Sequence, residues 1–323
     1  MTGSDTMRHN KNDLKQMQSL PLEAKIIMTQ RRLRDWYDHW DGQVYLSFSG
    51  GKDSTVLLDI LQNTPGVYDV PVVFVDTGLE YPEVRMFAAE RASVILRPEM
   101  RFDEVIKQYG YPVATKQVAD TVEGARRNPN SSRAKKLRGE YGGRKDGKPS
   151  KYDCPQWAYL MDAPFKVSAK CCDVMKKNPT KKYEKETGRK SITGSLAQES
   201  VTRERDWLHN GCNAFNTERP SSRPLSFWTE QDILQYLKEK GIEYAGVYGE
   251  IVQDEATGFL STTGLDRTGC MFCGFGCHRE SAPNRFQQMK ATHPRQYDYC
   301  MRPLSEKGLG MRAVLEYIGV EHE

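Results

Sequence analysis

The chain has 323 residues, 38% of them hydrophobic, with 47 Lys and Arg against 43 Asp and Glu for a formal net charge of +4. That length suits one large domain or one domain with an appendage, and the apolar fraction exceeds that of a disordered chain. No run approaches the roughly 20 consecutive apolar residues of a spanning helix, and Met1 to Gln18 is polar and unlike a secretory signal. A membrane protein is therefore not expected and the cytoplasm is the expected compartment.

In chain order, Leu22, Ile26, Ile27, Leu33, Trp36 and Trp40 recur at helical spacing with Gly42 as a stop, which predicts an amphipathic leading helix within residues 1–42. Val44 to Phe48 reads as a short buried strand, Ser49-Gly50-Gly51 as a tight loop, and Asp53 to Leu61 as a helix with Val56, Leu57, Ile60 and Leu61 on its apolar face. A second strand is predicted at Pro71 to Val75, a helix over roughly 82–92, and a third strand at Ser93 to Leu96. Strands alternating with helices at these lengths pair in parallel. The fold class that follows is α/β: an open, mostly parallel Rossmann-like sheet with helices on both faces over 43–245, then a mainly helical, cysteine-bearing part over 246–323. Between Arg126 and Lys151 the apolar period is lost, and ten basic residues meet only Glu140 and Asp146. This segment reads as a flexible basic insertion, either a solvated lid or a contact for nucleic acid. Further on, a helix is predicted from Cys172 to about Thr187, a strand at Ser191 to Thr193, and a helix at Glu230 to Lys240 between a Thr229 N-cap and Gly241.

Ser47 to Ser54 (SFSGGKDS) stands between a predicted strand and a predicted helix, where backbone N–H groups and the helix dipole converge and stabilise an anion. Gly50 and Gly51 permit close approach of a phosphate, Lys52 supplies a point charge, Ser49 and Ser54 can donate to phosphate oxygens, and Asp53 is placed to hold a magnesium ion. A Walker A loop is excluded, since Leu46 and Asp53 stand where that pattern needs Gly and Ser or Thr. The plainer alternative is a Ser/Gly-rich turn with a capping Asp.

Eight cysteines, in the pair Cys171-Cys172 and the run Cys270, Cys273, Cys277 with three isolated members, are spaced as a metal site needs rather than as a disulfide framework in a reducing compartment. Four thiolates suit either an iron–sulfur cluster or structural zinc, and adjacent cysteines are awkward for tetrahedral zinc because their side chains diverge. A set built on Cys270, Cys273 and Cys277 with a ligand from elsewhere competes with one built on Cys171, Cys172, Cys270 and Cys273.

On these residues the chain resembles a family. Ser49 to Ser54 are similar to the SGGxDS motif of the N-type ATP pyrophosphatases, and Val75 to Glu83, Lys170 to Lys176, Ile192 to Gly194 with Arg203, and Pro224 to Tyr236 look in order like the branch that contains the PAPS (phosphoadenylyl-sulfate) and APS (adenylyl-sulfate) reductases. The resemblance spans roughly 40–275. It implies an adenine nucleotide with pyrophosphate on Ser47, Ser49, Gly50, Gly51, Lys52, Asp53 and Ser54, adenine and ribose near Val75 and Asp76, and a further nucleotide contact at Gly194. It also implies a [4Fe–4S] cluster on Cys171, Cys172, Cys270 and Cys273, with zinc as the alternative. The reductases carry a catalytic cysteine in a C-terminal Glu-Cys-Gly segment and generally lose the loop lysine, whereas this chain has no cysteine beyond Cys300 and keeps Lys52. Both departures favour ATP and resemble the iron–sulfur members that insert sulfur into tRNA or DNA. The expected activity is adenylation by ATP with release of pyrophosphate, coupled to sulfur transfer from a donor protein to an acceptor such as tRNA or DNA bound through 126–151. Lys52, Asp53, Arg203 and Cys277 are the expected catalytic residues, with Arg205 as an assisting group and Cys212 as an alternative sulfur carrier. The alternatives are a PAPS or APS reductase that uses Cys277 and releases sulfite, and a nucleotide-gated nucleic-acid-binding module.

Overall fold

The structure, a computed structural model, describes residues 7–142 and 150–323. The chain folds as two units, each built from two segments: Met1–Arg97 with Thr180–Thr268, and Pro98–Pro179 with Gly269–Glu323. The boundaries drawn from the sequence after 42 and after 245 both fall inside the first unit.

The first unit is an α/β sheet with packed helices. Its strands β1 (Val44–Phe48), β2 (Val72–Val75), β3 (Val94–Leu96), β4 (Lys190–Thr193), β5 (Asn213–Ala214) and β6 (Ser221–Ser222) lie in the order β3-β2-β1-β4-β6-β5. All pairs are parallel except β5 with β6. β1 is central and apolar, with Val44 and Leu46 fully buried, as befits a strand covered on both faces. It pairs with β2 in the register Leu46 to Val72 and with β4 in the register Leu46 to Ile192. The strand order reverses at β1, and the loops after β1 and β4 open onto the crevice where such sheets bind ligands.

The strands and helices predicted at 44–48, 71–75, 82–92, 93–96, 191–193 and 230–240 are present within a residue or two. The leading helix Leu22–His39 buries Leu33 and Trp36 completely. The helix Glu230–Lys240 is capped by Thr229, with Asp232 completing the capping box and Gly241 in the left-handed conformation at its end. Three polar ties fix these helices. The Lys25 ammonium lies 2.6 Å from the Asp232 carboxylate, Trp228 Nε1 donates to Thr29 Oγ1 at 2.9 Å, and the Tyr236 hydroxyl donates to Asp59 at 2.6 Å. The antiparallel hairpin β7 (Ile251–Gln253) and β8 (Leu260–Thr262) is joined to that helix by Gln231, which both donates to and accepts from the Leu260 backbone at 2.8 Å.

The second unit is mainly helical, with helices Phe102–Tyr109, Lys116–Arg127, Arg285–Thr292, Pro294–Met301 and Met311–Tyr317. It corrects the reading of 126–151 as a stretch without order. Arg126 and Arg127 end the helix Lys116–Arg127, and Ser132–Arg138 forms a further helix capped by Ser131. Ala134 and Leu137 are its buried contacts, two apolar positions too few to show as a period. The Arg126 guanidinium is bound internally, donating to the carbonyls of Leu160, Ala163 and Phe165 at 2.5–2.9 Å. Arg127, Arg133 and Arg138 pair with Glu123, Asp120 and Glu140. The rest of the basic segment, 143–149, lies outside the described residues. The helix predicted from Cys172 begins as a π turn, Asp173–Lys177, before Asn178–Thr187 continues it. Among the described residues no helix is long and apolar enough to cross a membrane.

Candidate functional site

In the first unit, the turn from β1 into the helix Lys52–Gln62 forms a loop whose polar groups face one another. Ser54 Oγ donates to the Gly51 carbonyl at 2.8 Å and stands 3.1 Å from Ser49 Oγ, while the Gly51 N–H reaches Ser49 Oγ at a long 3.3 Å. Gly50 has φ +73°, and a Cβ there would stand 2.8 Å from the Val84 carbonyl oxygen, so both conformation and space demand glycine. Gly194, in the turn after β4, backs directly onto Asp53 and Ser54. Ser47 is half-buried at the end of β1, upstream of the loop.

Lys52 is 5% exposed. Its ammonium is 2.8 Å from Glu230 and donates to the Asp266 carbonyl at 2.5 Å. Its backbone N–H reaches the Tyr248 hydroxyl at 3.4 Å, and that hydroxyl shares a 2.6 Å hydrogen bond with Thr268. Burial pushes the Asp53 carboxyl up, Lys52, Arg267 and Arg203 oppose that rise, and Glu230 adds to it. Arg203 and Arg267 are both paired with Glu199, and partial burial together with the neighbouring Arg267 pushes the Arg203 guanidinium down. Val75 is half-buried at the end of β2. Asp76 is occupied by Arg85, which donates to its two oxygens at 2.7 and 2.8 Å, and its backbone N–H is bonded to Leu96. That ion pair holds the Asp76 carboxyl below the usual carboxylate range. The loop, Lys52, Asp53, Gly194 and Arg203 thus converge. Glu199, Glu230, Tyr248, Arg267 and Thr268 join them and escaped the sequence reading as site residues, because each lies far from the loop in sequence.

The cysteines of interest lie in the second unit. Cys171 is buried and Cys172, Cys270 and Cys273 are half-buried. Cys171 is pushed up first by its hydrogen bond to Cys172, then by burial and by the charges of Cys172, Cys273 and Cys270. The partner Cys172 is drawn down by that same bond, with Lys116 and Lys176 adding to the effect. The 270–277 loop is shaped by the Cys273 N–H on the Cys270 carbonyl at 3.0 Å, the Gly276 N–H on the Ala114 carbonyl at 2.7 Å, and Arg285 donating to the Cys273 carbonyl at 3.0 Å. Four thiols beside basic groups are the donor chemistry that an iron–sulfur cluster takes. Among the described residues no group of three or more His, Cys, Asp or Glu side chains is placed to hold a single metal ion. Cys277 is 1% exposed and donates to the Gly274 carbonyl at 3.1 Å, and burial pushes its thiol up to about 11. Cys212, in the first unit, is buried and likewise raised by burial. Burial thus moves both thiols away from the thiolate form in which a cysteine is nucleophilic.

The chain is similar to an uncharacterized protein of Methanocaldococcus jannaschii, 38% identical over 85 residues that make up 25% of this chain and 18% of that protein. The match thus spans less than a fifth of that relative. The crystal structure of phosphoadenylyl-sulfate (PAPS) reductase from Candida auris in a phosphate complex aligns over 75% of this chain and 92% of that one, at 14% identity and a TM-score of 0.39. The family model described as the phosphoadenosine phosphosulfate reductase domain matches residues 43–141 and 150–275, more than half of the sequence. The chain belongs to the phosphoadenosine phosphosulfate reductase domain family.

Proposed function

We propose that this protein is an ATP pyrophosphatase-type sulfurtransferase of the cytoplasm. It adenylates an acceptor oxygen with release of pyrophosphate and then exchanges the activated oxygen for sulfur brought by a donor protein. The observation that carries this reading is Lys52. A lysine ammonium at the phosphate loop, steadied by Glu230 and the Asp266 carbonyl, suits the β,γ-pyrophosphate of ATP, a group that a sulfonucleotide lacks. Backbone N–H groups of Gly51 and Lys52 orient the departing pyrophosphate, Lys52 stabilises its growing charge, and Arg203 assists at the reacting phosphate. Asp53 is the side chain that would hold magnesium, since a dication beside it keeps the carboxylate ionised against burial. Attack by the acceptor oxygen on the α-phosphorus breaks the bond to the β-phosphate, and the resulting ester loses AMP when a sulfur nucleophile displaces it.

Cys171, Cys172, Cys270 and Cys273 are the side chains that would hold a [4Fe–4S] cluster, which when bound supplies a thiophilic centre for reduced sulfur. A nucleic-acid acceptor, tRNA or DNA, is supported by the described part of the basic segment. There Lys136 lies 4.6 Å from the Tyr141 ring and 5.6 Å from the Tyr152 ring, and both tyrosines are exposed. Basic groups interleaved with exposed aromatic rings suit stacked bases.

The family name itself favours the second reading, a PAPS or APS reductase. Parallel product analysis separates the two: anaerobically purified protein is offered ATP, PAPS and APS with tRNA and DNA acceptors. AMP and pyrophosphate from ATP support the first reading, and sulfite from either sulfonucleotide replaces it with the second. Iron content of the same preparation, about four atoms per chain for a cluster, decides against zinc.

A further inference from the structure

We propose that Arg267, beside Arg203, binds the distal phosphates of the nucleotide and so selects a triphosphate over a monophosphate. The inference rests on the nucleotide reading above and deepens it.

Three observations converge on Arg267. Its chain neighbours on both sides are fastened to the phosphate loop: the Asp266 carbonyl accepts from the Lys52 ammonium, and Thr268 bonds the Tyr248 hydroxyl that in turn accepts from the Lys52 N–H. A Cβ on Gly51 would stand 3.2 Å from that tyrosine hydroxyl and 3.7 Å from the Thr268 hydroxyl. The Asp266 carbonyl and the Thr268 side chain thus both reach the loop, and Arg267 stands between them.

The second observation is charge. Glu199 is shared by Arg203 and Arg267 while Glu230 pairs with Lys52, so two of the three cations at the loop share one carboxylate. Asp53 stands beside all three cations, whose charges oppose the rise that burial imposes on it. Two guanidinium groups held on one carboxylate repel each other, and an anion removes that cost. An arginine fork matches phosphate oxygens in pairs, so a polyphosphate is the ligand class that fits.

The third is the placing of Glu199. Its side chain is 12% exposed and accepts from the Leu196 N–H at 2.9 Å, whereas the Arg267 side chain is 59% exposed. A fixed carboxylate thus holds one edge of a guanidinium whose other edge faces outward. An ordinary surface ion pair, worth little by itself, accounts for one arginine on Glu199 and gives no reason for a second.

The test is calorimetric titration of the full chain with ATP, AMP and inorganic tripolyphosphate at fixed magnesium, in the unaltered protein, Arg267→Ala and Arg267→Lys. The expected result is that Arg267→Ala weakens ATP and tripolyphosphate about tenfold or more, that AMP affinity is unchanged, and that Arg267→Lys falls between. Unchanged ATP affinity in both variants, or an equal loss of ATP and AMP in both, overturns the assignment. An unaltered protein that binds ATP no more tightly than AMP removes the nucleotide reading itself, and this inference with it.

Discussion

A Cβ on Gly194 would stand 3.0 Å from the carbonyl oxygen of Asp53, so the turn after β4 is pressed against the first turn of the phosphate-loop helix. The loop is therefore shaped from behind by a neighbouring strand as well as by its own sequence. Gly194→Ala forces backbone against backbone, a kind of overpacking that costs about 1–3 kcal/mol. Denaturant titration should show that loss, and ATP should bind more weakly than the stability loss alone explains, because the N–H groups of the loop are displaced.

The ion pair of Lys25 and Asp232 is the main buried charge pair between the leading helix and the helix Glu230–Lys240, with Lys25 1% exposed. Removal of one partner strands a charge in the interior. Lys25→Met is expected to cost about 3–5 kcal/mol, and Lys25→Met combined with Asp232→Asn less than the two single changes together. Chemical denaturation of the four proteins checks the coupling.

Asp76 supplies a pH signature. Its folded-state carboxyl is held low, first by the hydrogen bonds from Arg85, so it stabilises the fold while ionised. The contribution is present above the unfolded-state value of ~4 and is lost as pH falls through the lower folded value. Arg85 is half exposed, with 51% of its side chain accessible, which limits the effect to about 1 kcal/mol. Asp76→Asn should therefore destabilise the protein at neutral pH and match the unaltered protein in strong acid, as followed by thermal melts across pH.

How far the sequence reached depended on how local each signal was. β1 and the helix behind Thr229 were legible because alternation, capping and stop residues lie within a dozen positions. The loop Ser47–Ser54 was legible because the groups that make it a candidate anion site are backbone N–H groups and short side chains fixed by neighbouring residues. Glu230, Asp266 and Tyr248 were not, since their bonds to Lys52 cross long stretches of chain, 214 residues for Asp266. The helix Ser132–Arg138 was hidden by its composition, with Ala134 and Leu137 buried among Lys and Arg. β5 and β6 have two residues each, too short for alternation to register.

The cysteines divide by environment. Cys300 is fully buried and raised well above the usual thiol range by burial alone, whereas the Cys171 thiol is raised by Cys172, Cys273 and Cys270 as well as by burial. Replacing Cys172 or Cys273 by Ser should abolish bound iron and its visible absorbance. Replacing Cys277 or Cys300 by Ser should leave both in place. Iron retained in Cys172→Ser, or lost in Cys277→Ser, would reassign the ligands to the 270–277 run.

Lys52, on the proposed function, grips the pyrophosphate of ATP. ATP labelled at the α-phosphate, incubated with magnesium and acceptor nucleic acid, is predicted to yield AMP and pyrophosphate with the unaltered protein. Lys52→Ala should lose both products and bind ATP at least about tenfold more weakly. An unaltered protein that releases neither product, together with a Lys52→Ala variant that binds ATP undiminished, would contradict it.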